Sequence, residues 1–146
     1  MPMDLEEILA EVRIAFPELS KEKIEINYRK NPGDGPFTTQ ITICAPRTYI
    51  IEVFTELNAK PELIRGGIAH ELAHIIRTHK KSELRIRTYD WLCENFPRLR
   101  RRDETEVDLE AARHGYGRQI IELRVYVGDY SREMVDKIMK EVAAIT

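Results

Sequence analysis

Cysteine is scarce in this chain. Only Cys44 and Cys93 occur in 146 residues, far apart and in no C-x-x-C pair. They offer no disulfide framework and no redox motif, and read as two reduced thiols. Long apolar runs are also missing. No stretch approaches the roughly 20 residues that a membrane helix needs. The opening "MPMDLEEILAEV" is acidic and amphipathic, unlike a secretory signal. The expectation is a cytoplasmic protein without a membrane partner. Repeats and low-complexity segments are absent as well. With 42% hydrophobic and 33% charged residues, the balance is that of a folded domain rather than a disordered chain. The length suits one domain spanning residues 1–146.

The net charge is −2, but it is unevenly placed. Residues 77–102 carry nine Lys/Arg against three acids, and the flanking segments are acidic. A solvated helical face followed by a basic connection explains this. Nucleic-acid binding through "RLRRR", 98–102, is the sharper alternative, but no aromatic-rich basic strand or recognition-helix pattern accompanies it.

Hydrophobic periodicity divides the chain in two. "DLEEILAEVRIAF" places Leu5, Ile8, Leu9, Val12 and Phe16 at helical spacing, and Pro17 ends the helix. "KIEINYRK" alternates, with Ile24, Ile26 and Tyr28 on one face. "NPGDGP", 31–36, is turn chemistry. "FTTQITICAP" and "RTYIIEVFTE" read as two further strands in a hairpin, with Pro46 in the turn. The sheet is expected to be small, three-stranded and largely antiparallel. Helices follow. One begins at Pro61, with Asn58 as a cap, and runs to about Lys80. A second spans "SELRIRTYDWLCENF", capped by Ser82. A third runs from about Asp103 to Val127, loosened near Gly115 and Gly117. The last starts after Ser131 and buries Met134, Ile138 and Val142. Segregated strands and helices make an α+β domain.

The chemistry is concentrated in "GGIAHELAHIIRTH", Gly66–His79. His70 and His74 lie one helical turn apart, so both rings leave the same face and can hold one ion. In an H-E-x-x-H site the intervening glutamate, here Glu71, does not ligate but holds and deprotonates a water. Zn2+ suits two imidazoles and an open position. The competing reading is two core histidines and a surface glutamate on an ordinary helix. Gly66 and Gly67, costly inside a helix at about 1 kcal/mol each, imply a second segment packed close by.

Such a site needs a third protein ligand. His79 sits five residues after His74, with no intervening glycine, and reads as a helix-end histidine favoured by the dipole. His114 and the carboxylates of "DETEVDLEAARHGYG" remain. Glu104, Asp108, Ala111 and Gly115 share one face at spacings of four, three and four, and its small residues permit close approach to another helix. Glu106 lies on the other side. That favours Glu104 as ligand, with Asp108 placed to accept a hydrogen bond from a ligand imidazole. The simpler account is an acidic first turn, with Asp103, Glu104 and Glu106 complementing the helix dipole.

"HELAH" followed about thirty residues later by "ETEVD" resembles the gluzincin zinc metallopeptidases, whose signature is H-E-x-x-H and then E-x-x-x-D on a glutamate helix. The size is similar to the minigluzincins, and "ETEVDLEAA" resembles the E-x-E-A-N/D stretch of ImmA/IrrE-type peptidases. The resemblance covers roughly residues 48–115. It implies a zincin-like fold with an active-site helix, a glutamate helix and a C-terminal helix. It implies His70, His74 and Glu104 as zinc ligands, Glu71 as general base and acid, and Asp108 as the partner of a ligand histidine. It also implies a rim strand that pairs with extended substrate, for which "TYIIEVF" is the candidate. Val107 stands where the family often has alanine. His114 and Tyr116 are the candidates for the transition-state-stabilising side chain. The implied activity is hydrolysis of a peptide or protein substrate by a zinc endopeptidase. The alternative is a latent or non-catalytic zinc-binding regulatory module, with residues 131–145 covering the cleft. A homodimer is compatible with either.

Overall fold

The computed structural model describes residues 4–30, 38–45, 47–55, 60–79 and 95–145. The turn at 31–36, Pro46, the Asn58 cap, the helix expected after Ser82, and Cys93 lie outside the described residues, as do the side chains of Cys44 and His79.

The architecture is α+β and mostly helical. Helix α1, Leu5–Ile14, opens on Asp4, whose carboxylate accepts from the backbone N–H groups of Glu6 and Glu7 at 3.0 and 3.2 Å. These are two of the donors that a helix start leaves without an internal partner. Ile8, Leu9 and Val12 face the core. Pro17 begins a short 3-10 turn, Pro17–Leu19, and Arg13 closes over it by donating to the carbonyls of Leu19 and Glu22.

Strands β1 (Lys23–Lys30), β2 (Thr38–Ala45) and β3 (Thr48–Thr55) form one sheet in the order β1-β3-β2. β2 and β3 make the antiparallel hairpin, tightened by Arg47 at φ 58°. β1, however, pairs with β3 in parallel, so the sheet is mixed rather than largely antiparallel. Two chain reversals leave β1 and β3 pointing the same way, and β3 then inserts between its predecessors. Its sequence explains the central place. Tyr49, Ile51 and Val53 are buried, whereas β1 alternates with Lys23, Glu25 and Asn27 and tolerates an edge. Tyr28, expected on the buried face of β1, is instead exposed at the strand's far end.

Helix α2, Pro61–His79, packs against α1, the sheet and the helices beyond it in the chain. Gly66 permits one close approach: a Cβ there would stand 2.7 Å from the carbonyl oxygen of Gln119.

Helix α3 spans Pro97–Ala111, beginning six residues before the expected Asp103. The arginine-rich stretch is therefore its first turns and not a connection. Pro97 fits that start, because its missing N–H would have had no partner there. The continuous helix expected to Val127 is broken. The turn Ala112–Tyr116 contains Gly115 at φ 95°, and α4, Gly117–Val127, folds back along α3. In one straight helix residues 108 and 124 would be about 24 Å apart. Here Arg124 Nε lies 2.8 Å from an oxygen of Asp108. Helix α5, Arg132–Ala144, starts on Ser131, whose hydroxyl accepts from the Met134 N–H. Ile138 and Val142 rest over Gly117, at the hairpin turn. Among the described residues its main packing partners are α3, α4 and that turn.

The core joins these layers. Phe16, Leu19, Ile51, Ile68, Leu72, Ile75, Val107, Ile120 and Ile138 are fully buried in one cluster. Among the described residues, no helix is long and apolar enough to cross a membrane.

Candidate metal centre

Helix α2 supplies His70 and His74 from one face, and α3 runs antiparallel beside it. Numbers therefore rise along one helix as they fall along the other: His70 meets Asp108, His74 meets Glu104, and Arg77 meets Asp103. Both histidines direct Nε2 at the Glu104 carboxylate. His70 Nε2 is 3.1 Å from Oε2 and His74 Nε2 is 3.5 Å from Oε1. The rings are nearly perpendicular, with centroids 4.7 Å apart. One ligand atom from each residue can be chosen so that all lie within 4.8 Å of one another.

These residues fit a zinc ion. Ligand atoms at about 2.05 Å around a tetrahedral ion stand about 3.3 Å apart, close to both imidazole–carboxylate separations. Two imidazoles and one carboxylate leave the fourth position for solvent or substrate.

The support behind the ligands is more extensive than spacing alone suggests. His70 Nδ1 donates to Asp108 Oδ1 at 2.9 Å, which fixes the ring and turns Nε2 toward Glu104. Asp108 is fully buried and is itself held by Arg124. The guanidinium donates from Nε to Oδ2 at 2.8 Å and from Nη2 to Oδ1 at 3.1 Å. Nη2 also reaches Glu104 Oε2 at 3.5 Å, and Nη1 lies 3.5 Å from Asp129. Arg124 thus ties the carboxylate that orients His70 to the carboxylate that both histidines face. Nothing in local spacing marks Arg124 for this role, because only the break at Gly115 returns it to the site. We expect Arg124→Met to weaken zinc binding about 10- to 100-fold, as loss of such outer contacts typically does. Arg124→Lys should recover little, since an ammonium cannot make the two-pronged contact. Competition with a chromogenic chelator measures both, and unchanged affinity in the Met variant would show that Asp108 is held without the fork.

Glu71 is only 4% exposed. It is not the surface residue of an ordinary amphipathic helix, and its charge helps to hold the proton on His70. The helix-dipole account of the acidic stretch also fails. Asp103, Glu104 and Glu106 lie beyond the first turn of α3, which carries arginines instead.

His114 and Tyr116 are brought elsewhere, to the hairpin turn. His114 stacks on Phe16 at 4.3 Å, with Nδ1 2.8 Å from the Glu110 carbonyl and Nε2 2.7 Å from the Glu18 carboxylate. Tyr116 packs near Phe16, and its hydroxyl is held above its ordinary pKa by burial and by nearby Glu11. Both are engaged at the end of the hairpin opposite Glu104, so neither joins the ligand cluster. TYIIEVF, as β3, is flanked on both edges and has no free edge for a substrate strand.

No protein-family model, curated protein or solved structure matches this chain. The site must be read from its own geometry.

That geometry is strongly coupled electrostatically. Burial disfavours a charged His70, but hydrogen bonds to Asp108 and Glu104 outweigh it and raise its pKa from 6.5 to about 10. Burial likewise opposes ionised Glu104 and Asp108, but the histidines, with Arg124 on Asp108, hold both well below the usual carboxylate range. Without metal, the raised His70 pKa contributes stability that is complete below 6.5 and lost as pH climbs toward about 10. The two carboxylates contribute stability that is present above their ordinary values, 4.5 and 3.8, and lost on acidification below them. Chelator-treated protein should therefore lose denaturant resistance between pH 6.5 and about 10, and His70→Gln should flatten that slope. An equal slope in the variant would assign the alkaline loss to other groups. Metal competes for the same His70 nitrogen, so zinc affinity should rise over the same window.

Proposed function

We propose that this protein is a zinc-dependent metallopeptidase with a zincin-like fold, in which His70, His74 and Glu104 hold the metal. The observation that carries the reading is the convergence of two Nε2 atoms from one helix on a single carboxylate of the next, with Asp108 fixing the Nδ1 side of His70. A zinc ion held there polarises a substrate carbonyl and acidifies water.

The chain's own residues supply the remaining work. Glu71, one position after His70 and nearly excluded from solvent, takes the proton from the attacking water and delivers it to the leaving amine. Its burial on α2 would shelter the carried proton from bulk water. Asp108 and Arg124 keep the His70 ring from rotating. With β3 paired on both sides, the outer strand that packs against α2 is β2, and we assign an extended peptide to it. Among the described residues it pairs on one side only, running antiparallel to β3. An added strand there would hold the peptide backbone by main-chain hydrogen bonds.

The test is hydrolysis of a quenched fluorescent peptide pool by zinc-loaded protein. Cleavage should vanish with a chelator and return with zinc. Zinc-loaded protein that cleaves nothing would overturn the hydrolytic reading and favour a zinc-binding regulatory module.

A further inference from the structure

The turn that joins α3 to α4 carries a histidine whose two ring nitrogens both face acceptors. His114 Nδ1 lies 2.8 Å from the Glu110 carbonyl oxygen, and Nε2 lies 2.7 Å from Glu18 Oε2. A carbonyl oxygen can only accept, so the first contact needs a proton on Nδ1. An ionised carboxylate can only accept as well, so the second needs a proton on Nε2. A neutral imidazole has one N–H and serves only one of them. Placing the second proton on Glu18 instead is unfavourable, because that side chain is 48% exposed and water solvates its ionised form. Both contacts together therefore call for the imidazolium.

The surroundings suit a positive ring. Fully buried Phe16 stacks on His114 with centroids 4.3 Å apart, within the range at which an aromatic face attracts a cation. Charged groups on the elements around the turn have partners of their own. Arg113 faces Glu110 and Glu141, Arg65 pairs with Glu11 and Glu62, and Lys137 pairs with Glu133. Arg13 donates to the carbonyls of Leu19 and Glu22, and the Glu22 carboxylate lies near Tyr49. Arg118 on α4, and Asp136 and Lys140 on α5, are exposed.

We infer that His114 is a pH-dependent clasp. Doubly protonated, it ties the turn after α3 both to the end of that helix and to the 3-10 turn after α1. When the ring becomes neutral as pH rises, one of the two contacts is lost and the turn loosens. This is the turn that returns Arg124 to Asp108. The inference needs neither zinc nor hydrolysis to hold.

The experiment uses the full zinc-loaded chain with 15N-labelled histidine. Spectra correlating ring nitrogens with carbon-bound protons follow each nitrogen across about pH 5 to 8, where imidazoles change charge. The His114 signals are assigned by their loss in His114→Gln. At the acid end both His114 nitrogens should be protonated. As the ring loses a proton, protection of the amides of residues 113–117 against hydrogen exchange should fall about three- to tenfold. The exposure of Glu18 keeps this below the full worth of a charged hydrogen bond. Glu18→Gln separates the clasp from a plain packing role. Its amide can donate to an unprotonated Nε2, so a neutral ring serves both contacts and protection should stay level across the range. His114→Gln, which cannot change charge, should stay level too. Wild-type protection that does not follow the protonation of His114, or an equal fall in either variant, overturns the inference. So does a ring with one protonated nitrogen while the turn is fully protected.

Discussion

Glu71→Gln should leave zinc in place and lower peptide hydrolysis by about 10²- to 10⁴-fold, the usual contribution of a positioned general base. The expectation comes from two facts about one residue. Glu71 is next to His70 on α2 but is turned by about 100° from it, so it borders the ligand set without joining it. It is also nearly buried, which shelters it from bulk water. The amide is close in size and cannot take a proton. Paired measurements of bound zinc and initial rate separate the outcomes. Zinc retained and activity lost fits the assignment. Zinc lost along with activity would make Glu71 a ligand or a structural support, and full activity would remove it from the mechanism.

Glu104→Ala should have the largest effect on the metal itself. It removes one of three ligands and also takes from the two imidazoles the carboxylate that both now face at 3.1 and 3.5 Å. Zinc affinity should fall by well over the 10- to roughly 100-fold that loss of an outer contact costs. Glu106→Ala, two positions along the same helix, should change affinity by less than about threefold, a small fraction of the outer-contact effect. The reverse order would move the third ligand to Glu106 and require α3 to present its other face. Asp108→Asn offers an intermediate case. It keeps the shape of the side chain but weakens the hold on His70 Nδ1, and should fall within the outer-contact range.

The histidine pair was legible because helical spacing alone puts positions 70 and 74 on one face. Glu104 and Asp108 were legible for the same reason, once small residues marked the face of α3 that could approach another helix. What local pattern could not carry was the return of the chain. Gly115 looked like a loosening within a helix, whereas its positive φ ends α3, and Arg124 comes back to Asp108 only through that reversal. His114 and Tyr116 were misplaced for the same reason, since a continuing helix leaves their neighbours open while the turn commits them to Phe16 and Glu18. The start of α3 was missed because four arginines within five residues look like a loop, and the dipole argues against them. Strand order was hidden for a different reason. Alternation reports which residues face inward but not which strand lies in the middle, so β3 was expected at a rim and lies at the centre.

The central claim is that two imidazoles and a carboxylate from α2 and α3 hold one zinc ion. X-ray absorption at the zinc edge of the purified, zinc-loaded chain tests it most directly, alongside metal content per chain. The account predicts about one zinc per chain, with nitrogen and oxygen neighbours at about 2.0–2.2 Å, an imidazole scattering pattern and no sulfur shell. A sulfur neighbour at about 2.3 Å, or a spectrum unchanged in His74→Ala, would place the metal elsewhere and contradict the account.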